Sequence, residues 1–326
     1  MTAYVVRRLL WSVAMVLGVV VLDFLLTHIL PGDPLDVLVG NFPAPPDYIA
    51  QVRHDFGLDQ PLAKQLVLYL EHLAHGDLGF SFANRQAVLP LILTRASTTL
   101  LLMLPALLLA SILGIALAAL AAARAGGWLD GAVTALSLAG HSIPVFWLAQ
   151  ILIVTFAVKL GWLPAQGMHS IRTRDPQLDL LRHLVLPGFC ITIYYLAVVS
   201  RVARSAMLEV MQQDFVLTAR AKGLGRGAVL WRHVLRNAAI PVITVVGYNF
   251  GLSLTGAILT ETVFAWPGLG SLFINSIANR DYPVLAGIFL LSAIAVVLAN
   301  FVTDLLYAAA DPRVRLGGSA RLQPAG

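Results

Sequence analysis

Asp23 and Asp304 are the acids that fall inside long apolar runs of this sequence. An ionised carboxylate at membrane depth is costly and ordinarily faces a bundle interior or an aqueous path. In a path it can carry a proton, which would suit a proton-coupled secondary transporter. Held by a hydrogen bond, or lying near the membrane interface, it is structural instead. Nucleophilic chemistry is poorly represented. Ser253, in "GLS", can be named with His28 or His141 as an intramembrane hydrolase pair, but G-x-S in a Gly-rich span carries little information. Cys190 is the single cysteine and lies in an apolar run, which excludes an internal disulfide and a Cys-based zinc site. None of the eight histidines has a partner at metal-ligand spacing, and no H-E-x-x-H occurs. "GGWLDGAV" (126–133) has two glycines at phosphate-loop spacing but no Lys or Ser after them. The chain therefore gives no sign of hydrolysing ATP itself, and no metal or cofactor is expected in it.

The densest polar feature is "ARAKGLGRGAVLWRHVLRN" (219–237), with five Lys or Arg, one His and no acid. At about 100° per residue, a helix over 226–237 gathers Leu230, Trp231, Val234 and Leu235 on one arc. Arg226, Arg232, His233 and Arg236 fall opposite, with Val229 among them. The preceding stretch, 205–222, also has a helical pattern, with Gly223 as its C-terminal cap. Helix, Gly turn, helix makes a rigid knob rather than a linker. Such a knob could contact anionic lipid headgroups through its Arg face or dock a partner protein. Nucleic acid is disfavoured, because the stretch is short and tied to apolar segments on both sides.

The elements that must position these residues are membrane spans. The chain has 326 residues, 58% hydrophobic and 12% charged, with a mean hydropathy of +0.81. A soluble domain usually holds about 25% charge. About 20 apolar residues cross a bilayer as a helix, and six stretches qualify: roughly 9–30, 97–122, 132–158, 184–204, 240–260 and 284–308. The first follows Arg7 and Arg8 but lacks a signal-peptide cleavage pattern before Pro31, so it is expected to remain as a span. With the N-terminus inside, the inner pieces hold thirteen of the 22 Lys and Arg residues in the smaller share of loop sequence. The positive-inside rule then favours both termini in the cytoplasm, and the net charge of +5 reports that bias rather than a nucleic-acid partner. Pro105 and Pro144 lie within spans, where each removes a helix hydrogen bond and predicts a kink. Outside the membrane, "QPLAKQLVLYLEHLAHG" (60–76) predicts an amphipathic helix starting near Pro61 and stopping at Gly76. Residues 264–283 predict a short surface helix, with Asp281 and Pro283 opening the last span.

"DFVLTARAKGLGRGAVLWRHVLRNAAIPVIT" (214–244) resembles the coupling segment, or EAA loop, of the permease subunits of bacterial dipeptide, oligopeptide and nickel ABC importers. Gly223 takes the Gly place, Ala219 the second Ala and Leu235 the Leu of the general pattern. Leu217, Thr218, His233 and Arg236 depart from it, in the manner of the peptide branch with its "ARAKGL" and "RHxLRN" signatures. "LPGDPL" (30–35), "FGLDQPL" (56–62), "GDLGFSF" (76–82), "SIPVFWLAQ" (142–150), "LGWLP" (160–164), "ETVFAWPGLGSLF" (261–273) and "DPRVR" (311–315) resemble the rest of that branch, in order.

The resemblance implies an all-α integral membrane protein with six transmembrane helices and the type I ABC importer permease fold. Its expected parts are an N-terminal helix (1–31), an extracytoplasmic amphipathic segment (32–95), a transmembrane core (96–310) with a cytoplasmic coupling loop (205–238), and a cytoplasmic tail (311–326). It implies a pore-forming, multi-pass subunit of the bacterial inner membrane, moving peptides or related small solutes. The expected partners are a homologous second permease, in a heterodimer, two cytoplasmic ATPase subunits that bind ATP and Mg, and an extracytoplasmic binding protein. Within the knob, Gly223 would set the angle between helices, and Ala219 and Ala221 would allow close approach. Leu230, Trp231, Val234 and Leu235 would insert apolar surface into the ATPase or against the chain's own bundle. Arg220, Lys222, Arg226, Arg232 and Arg236 would meet acidic ATPase groups or lipid. Asp23, Pro144 and Asp304 are candidates for the translocation path or for structural roles.

Overall fold

The computed structural model describes residues 2–29, 45–55, 60–81, 83–171, 173, 175–254 and 258–310. The expected tail (311–326) and the early part of the expected outer segment fall outside these residues, as do the side chains of Asp23, His28 and Arg226. The chain opens with helix α1 (Thr2–Ile29), followed by two short helices, α2 (Pro46–Asp55) and α3 (Leu62–Ala74). α3 starts after Pro61, whose φ of −56° pre-sets the entry, and stops at Gly76, whose φ is +76°. A two-stranded antiparallel hairpin, β1 (Phe80–Ser81) and β2 (Gln86–Ala87), leads directly into α4 (Val88–Ala123). This helix begins well before the span expected at 97–122 and passes through Pro105 without ending.

The span expected at 132–158 is not one helix. α5 (Trp128–Ser142) and α6 (Val145–Leu152), which continues as a π-helix over Ile153–Lys159, meet at 96°. The break sits at Pro144. A proline disfavours helical geometry in the residue before it, and Ile143 is extended, with φ −71° and ψ 124°. The expected kink is therefore a right-angle turn. α7 (Pro176–Met211) is again unbroken, and Asp175 caps its N-terminus by accepting from the N–H groups of Gln177 and Leu178.

The helix expected over 205–222 also divides. α7 ends at Met211, Gln213 turns extended, and α8 (Asp214–Ala221) begins with an acid in its first turn, where the helix dipole favours it. α9 starts at Arg226–Val229, widens into a π-turn over Leu230–Val234 and closes over Leu235–Asn237. α10 (Ala239–Gly251) follows at 59° to it and runs into a 3-10 turn, Leu252–Leu254. α11 (Ile258–Val263), α12 (Leu269–Asn279) and α13 (Tyr282–Ala310) complete the described chain. Among the described residues, three helices are long and apolar enough to cross a membrane, or five if each bent pair counts as one span.

Two apolar clusters mark opposite ends of α4. At its start, Val88, Leu91 and Ile92 pack with Leu269 and Leu272 of α12 and Val284 and Ile288 of α13. At its far end, Ala118, Ala119 and Ala122 pack with Ala203, Met207 and Val210 of α7 and with the basic knob. Small residues set the closest approaches. Gly247 and Gly251, spaced as G-x-x-x-G on α10, face Thr303 and Ala299 of α13, and a Cβ at Gly247 would lie 2.1 Å from the Thr303 hydroxyl.

Candidate coupling surface and supporting sites

The knob is built around its Gly turn. Gly223, with φ +83°, donates its N–H to the Arg220 carbonyl at 2.9 Å, and Leu224 donates to the Ala219 carbonyl at 3.3 Å. This is the Schellman arrangement, in which a left-handed residue just past the helix satisfies two terminal carbonyls. Its usual apolar contact is present too: Leu224 packs on the cluster that contains Ala219. No atom beyond the neighbouring residues comes within 4 Å of where a Gly223 Cβ would stand, so the glycine is required by its backbone angle and not by crowding.

The π-turn redistributes the faces of α9. Val229, Leu230 and Val234 are buried against α4 and α7, and Leu235 is half-buried beside them. Trp231, expected on the same apolar arc, is turned outward and 61% exposed. An ideal 100° step misplaces both Trp231 and Val229, because a π-turn holds more residues per turn. The apolar face of the knob is thus spent on the chain's own bundle. What it presents outward is Arg220, Ala221, Lys222, Gly223, Trp231, Arg232 and Arg236, while Ala219 is buried.

Beside the knob lies an ion pair. Asp130, at the start of α5, accepts from Arg204 of α7 through two bonds, Nε at 2.5 Å and a terminal nitrogen at 2.8 Å. The Gly126 N–H adds a third bond at 3.0 Å. Asp130 is buried and the Arg204 side chain keeps 26% of its surface. This fork ties the turn before α5 to α7, and the same turn shares a cleft with Leu208, Met211, Arg220 and Leu230.

At the other end of the molecule a second polar network knits three elements. Glu261 of α11 is fully buried; it accepts from Thr99 of α4 at 2.7 Å and from the Gly270 and Ser271 N–H groups at 2.8 and 3.1 Å. Its carboxylate thereby occupies the N-terminal turn of α12. A Cβ at Gly268 would stand 2.3 Å from that carboxyl, and one at Gly270 2.7 Å from the Ile258 Cα, which accounts for both glycines of "WPGLGS". Burial pushes the Glu261 carboxyl above its ordinary range, against the bonds from Thr99, Ser271 and Gly270 and the nearby Arg95 charge. Nearby, buried Asp281 accepts from Ser81 at 2.5 Å and from Asn84 at 3.3 Å, locking the hairpin to the start of α13. Sequence reasoning assigned no role to Glu261, Asp130 or Arg204, and gave Asp281 only a place at the start of the last span. An acid shortly before W-P-G-L-G was the available signal for the first.

Of the remaining candidates, Asp304 forms an ion pair with Arg8, which joins the end of α13 to the start of α1. Asp23 is on α1. Pro144 marks the break between α5 and α6, and among the described residues no group of three or more His, Cys, Asp or Glu side chains could hold a metal.

The family described as the binding-protein-dependent transport system inner membrane component matches residues 112–316, and its N-terminal companion matches residues 1–103. The chain belongs to this permease family. The permease is 43% identical to the di/tripeptide transport system permease protein DppB of Pseudomonas aeruginosa, covering 97% of this chain and 99% of that one. It is 38% identical to the oligopeptide transport system permease protein AppB of Bacillus subtilis, covering 96% and 99%. Against the dipeptide transport system permease protein DppB of Alkalihalophilus pseudofirmus it is 37% identical, covering 97% and 100%. Among solved structures, an inward-facing form of the MetNI methionine ABC transporter superposes with a TM-score of 0.56 at 18% identity, covering 68% of this chain and 96% of that chain. That likeness bears on the permease's fold. As a transport subunit with multiple apolar helices, the permease is a membrane protein and not an enzyme.

Proposed function

We propose that the chain is a pore-forming permease subunit of an ABC importer that moves di- or oligopeptides, or related small solutes, across the bacterial inner membrane. The observation that carries the reading is full-length similarity to permeases whose names specify peptides, at 37–43% identity. Six spans with both termini in the cytoplasm are part of the proposal, in which α1, 28 residues long, joins the three helices and two bent pairs as the first span. So are the partners: a homologous second permease in a heterodimer, two ATPase subunits holding ATP and Mg, and an extracytoplasmic binding protein. The knob, within the coupling loop 205–238, docks on an ATPase through its outward face. Arg220, Lys222, Arg232 and Arg236 supply positive charge, and Trp231 supplies an exposed ring. Closure of the ATPase pair on ATP then moves knob and bundle together as rigid bodies and opens the path to the other side.

The test is purification of tagged chain from its native membrane. An ATPase and a second permease of similar length are expected to copurify, and the assembly in liposomes should take up a dipeptide only with ATP and a binding protein. Uptake by this chain alone under a pH gradient would replace the proposal with the proton-coupled alternative through Asp23 or Asp304. The Arg8–Asp304 ion pair favours a structural role for Asp304.

A further inference from the structure

Halfway along the bundle, polar aromatic residues gather in a region that the chain covers only in part. Tyr194 lies about 26 Å from either end of α7 at a rise of about 1.5 Å per residue. Its ring packs on Tyr195 edge to face, with centroids 5.2 Å apart, and on His141 of α5 at 5.4 Å. Tyr195 in turn lies within electrostatic range of both Tyr194 and Tyr248. Tyr248, on α10 and away from the Gly247 and Gly251 face that meets α13, is 60% exposed. Tyr194, Tyr195, Val145, Ile191 and Leu259 line one cleft of about 290 Å³, directly beside the Ile143–Pro144 break.

Tyrosines prefer the membrane interfaces, where the hydroxyl reaches water. A hydroxyl or a helix break facing hydrocarbon at mid-depth leaves polar groups without partners. Irregular backbone at that depth is tolerated where it is buried in protein or lines an aqueous cavity. Exposed His141, Pro144 and Tyr248, with half-buried Tyr194 and Tyr195 beside them, meet that condition together.

We infer that Tyr194, Tyr195 and Tyr248, with His141, form a collar that lines the aqueous route and contacts a peptide in transit. This rests on the peptide-permease reading above. The hydroxyls offer both donors and acceptors to peptide N–H and C=O groups, and the rings offer faces to side chains of any shape. Such contacts are tolerant of sequence, unlike a charged pocket. They are also weak, so they let the peptide leave.

The experiment uses the assembled transporter in membrane vesicles. Cys190 is buried, and Cys190→Ala leaves a background in which Tyr248→Cys presents a single thiol in this subunit. A charged, membrane-impermeant methanethiosulfonate is expected to label that thiol, and an Ala-Phe dipeptide supplied with the binding protein should slow the labelling several-fold. Labelling by an apolar maleimide only would mean a lipid-facing site and overturn the inference. Disulfide capture of the second permease would mean a subunit contact and overturn it too, as would aqueous labelling that Ala-Phe leaves unchanged. Against misfolding of the cysteine variant, Tyr194→Phe/Tyr195→Phe keeps the rings. It is expected to raise the apparent KM for Ala-Phe about three- to tenfold, the effect of about one net hydrogen bond, and by more than it changes the maximal rate. Unchanged KM in that variant also overturns the contact. Where one of these results overturns the collar, ATP-dependent uptake retained by the variants leaves the permease reading standing.

Discussion

Thr99 and Glu261, 162 residues apart in sequence, meet through a hydrogen bond of 2.7 Å inside the protein. The same threonine oxygen accepts the Leu269 N–H at 2.8 Å, so one hydroxyl bridges α4, α11 and α12. Replacing Glu261 by Ala leaves Thr99 and two backbone N–H groups without that acceptor. Each unsatisfied buried group costs about 1–3 kcal/mol. Glu261→Ala is expected to lower the melting temperature in detergent strongly, and Glu261→Gln less, since its amide oxygen still accepts.

The raised pKa of Glu261 adds a pH signature. A carboxyl whose folded pKa exceeds its unfolded value binds protons more tightly when native. Its contribution is therefore fully present below the ordinary value of 4.5 and is lost as pH rises through the raised one. Wild-type stability should fall across that window relative to Glu261→Gln, whose profile lacks this component. Thermal unfolding of the two proteins over a pH series measures it.

Asp130 and Arg204 support a third prediction. Breaking a fully buried pair costs about 3–5 kcal/mol, and partial exposure of Arg204 lowers the expectation for Asp130→Asn to about 2–3 kcal/mol. A double-mutant cycle with Arg204→Gln is expected to be non-additive. Additive losses would mean that the pair contributes nothing beyond its separate side chains.

At Gly223 the prediction separates assembly from coupling. A φ of +83° costs an L-residue about 1–2 kcal/mol, more when β-branched. Gly223→Val should reach the membrane in normal amounts and lose ATP-dependent uptake. Gly223→Asn, which tolerates left-handed geometry, should retain a substantial part. Normal uptake by the valine variant would remove the glycine turn from the mechanism.

Helix packing gives the last prediction. Gly247→Ala places a methyl 2.1 Å from the Thr303 hydroxyl and 2.9 Å from its methyl group. The expected loss is about 1–3 kcal/mol from overpacking. Thr303→Ala removes both atoms, so the double variant should recover most of the melting temperature.

What the sequence made legible was local. Gly76 and Gly223 were readable as helix stops because a positive φ is a demand of the residue's own backbone. Pro144 was readable as a disturbance, but its size was not: the 96° turn depends on what α5 and α6 pack against. Trp231 and Val229 exchanged faces because nothing in the residue pattern announces a π-turn. The pairs Thr99–Glu261, Asp130–Arg204 and Arg8–Asp304 join helices far apart in sequence, and a single sequence holds no record of such partners. The apolar runs pointed to the long helices, and the polar clasps between them had to be seen.

One consequence concerns α4. Its 36 residues extend about 54 Å, with one end set among α12 and α13 and the other among the helices of the basic knob. No break interrupts it, even at Pro105. An unbroken member of that length, if tipped by about 5° around its middle, would carry each tip roughly 2 Å in opposite directions. Such a member would act as a see-saw beam: a push on the Gly223 side would arrive at the Glu261 side as motion of opposite sign.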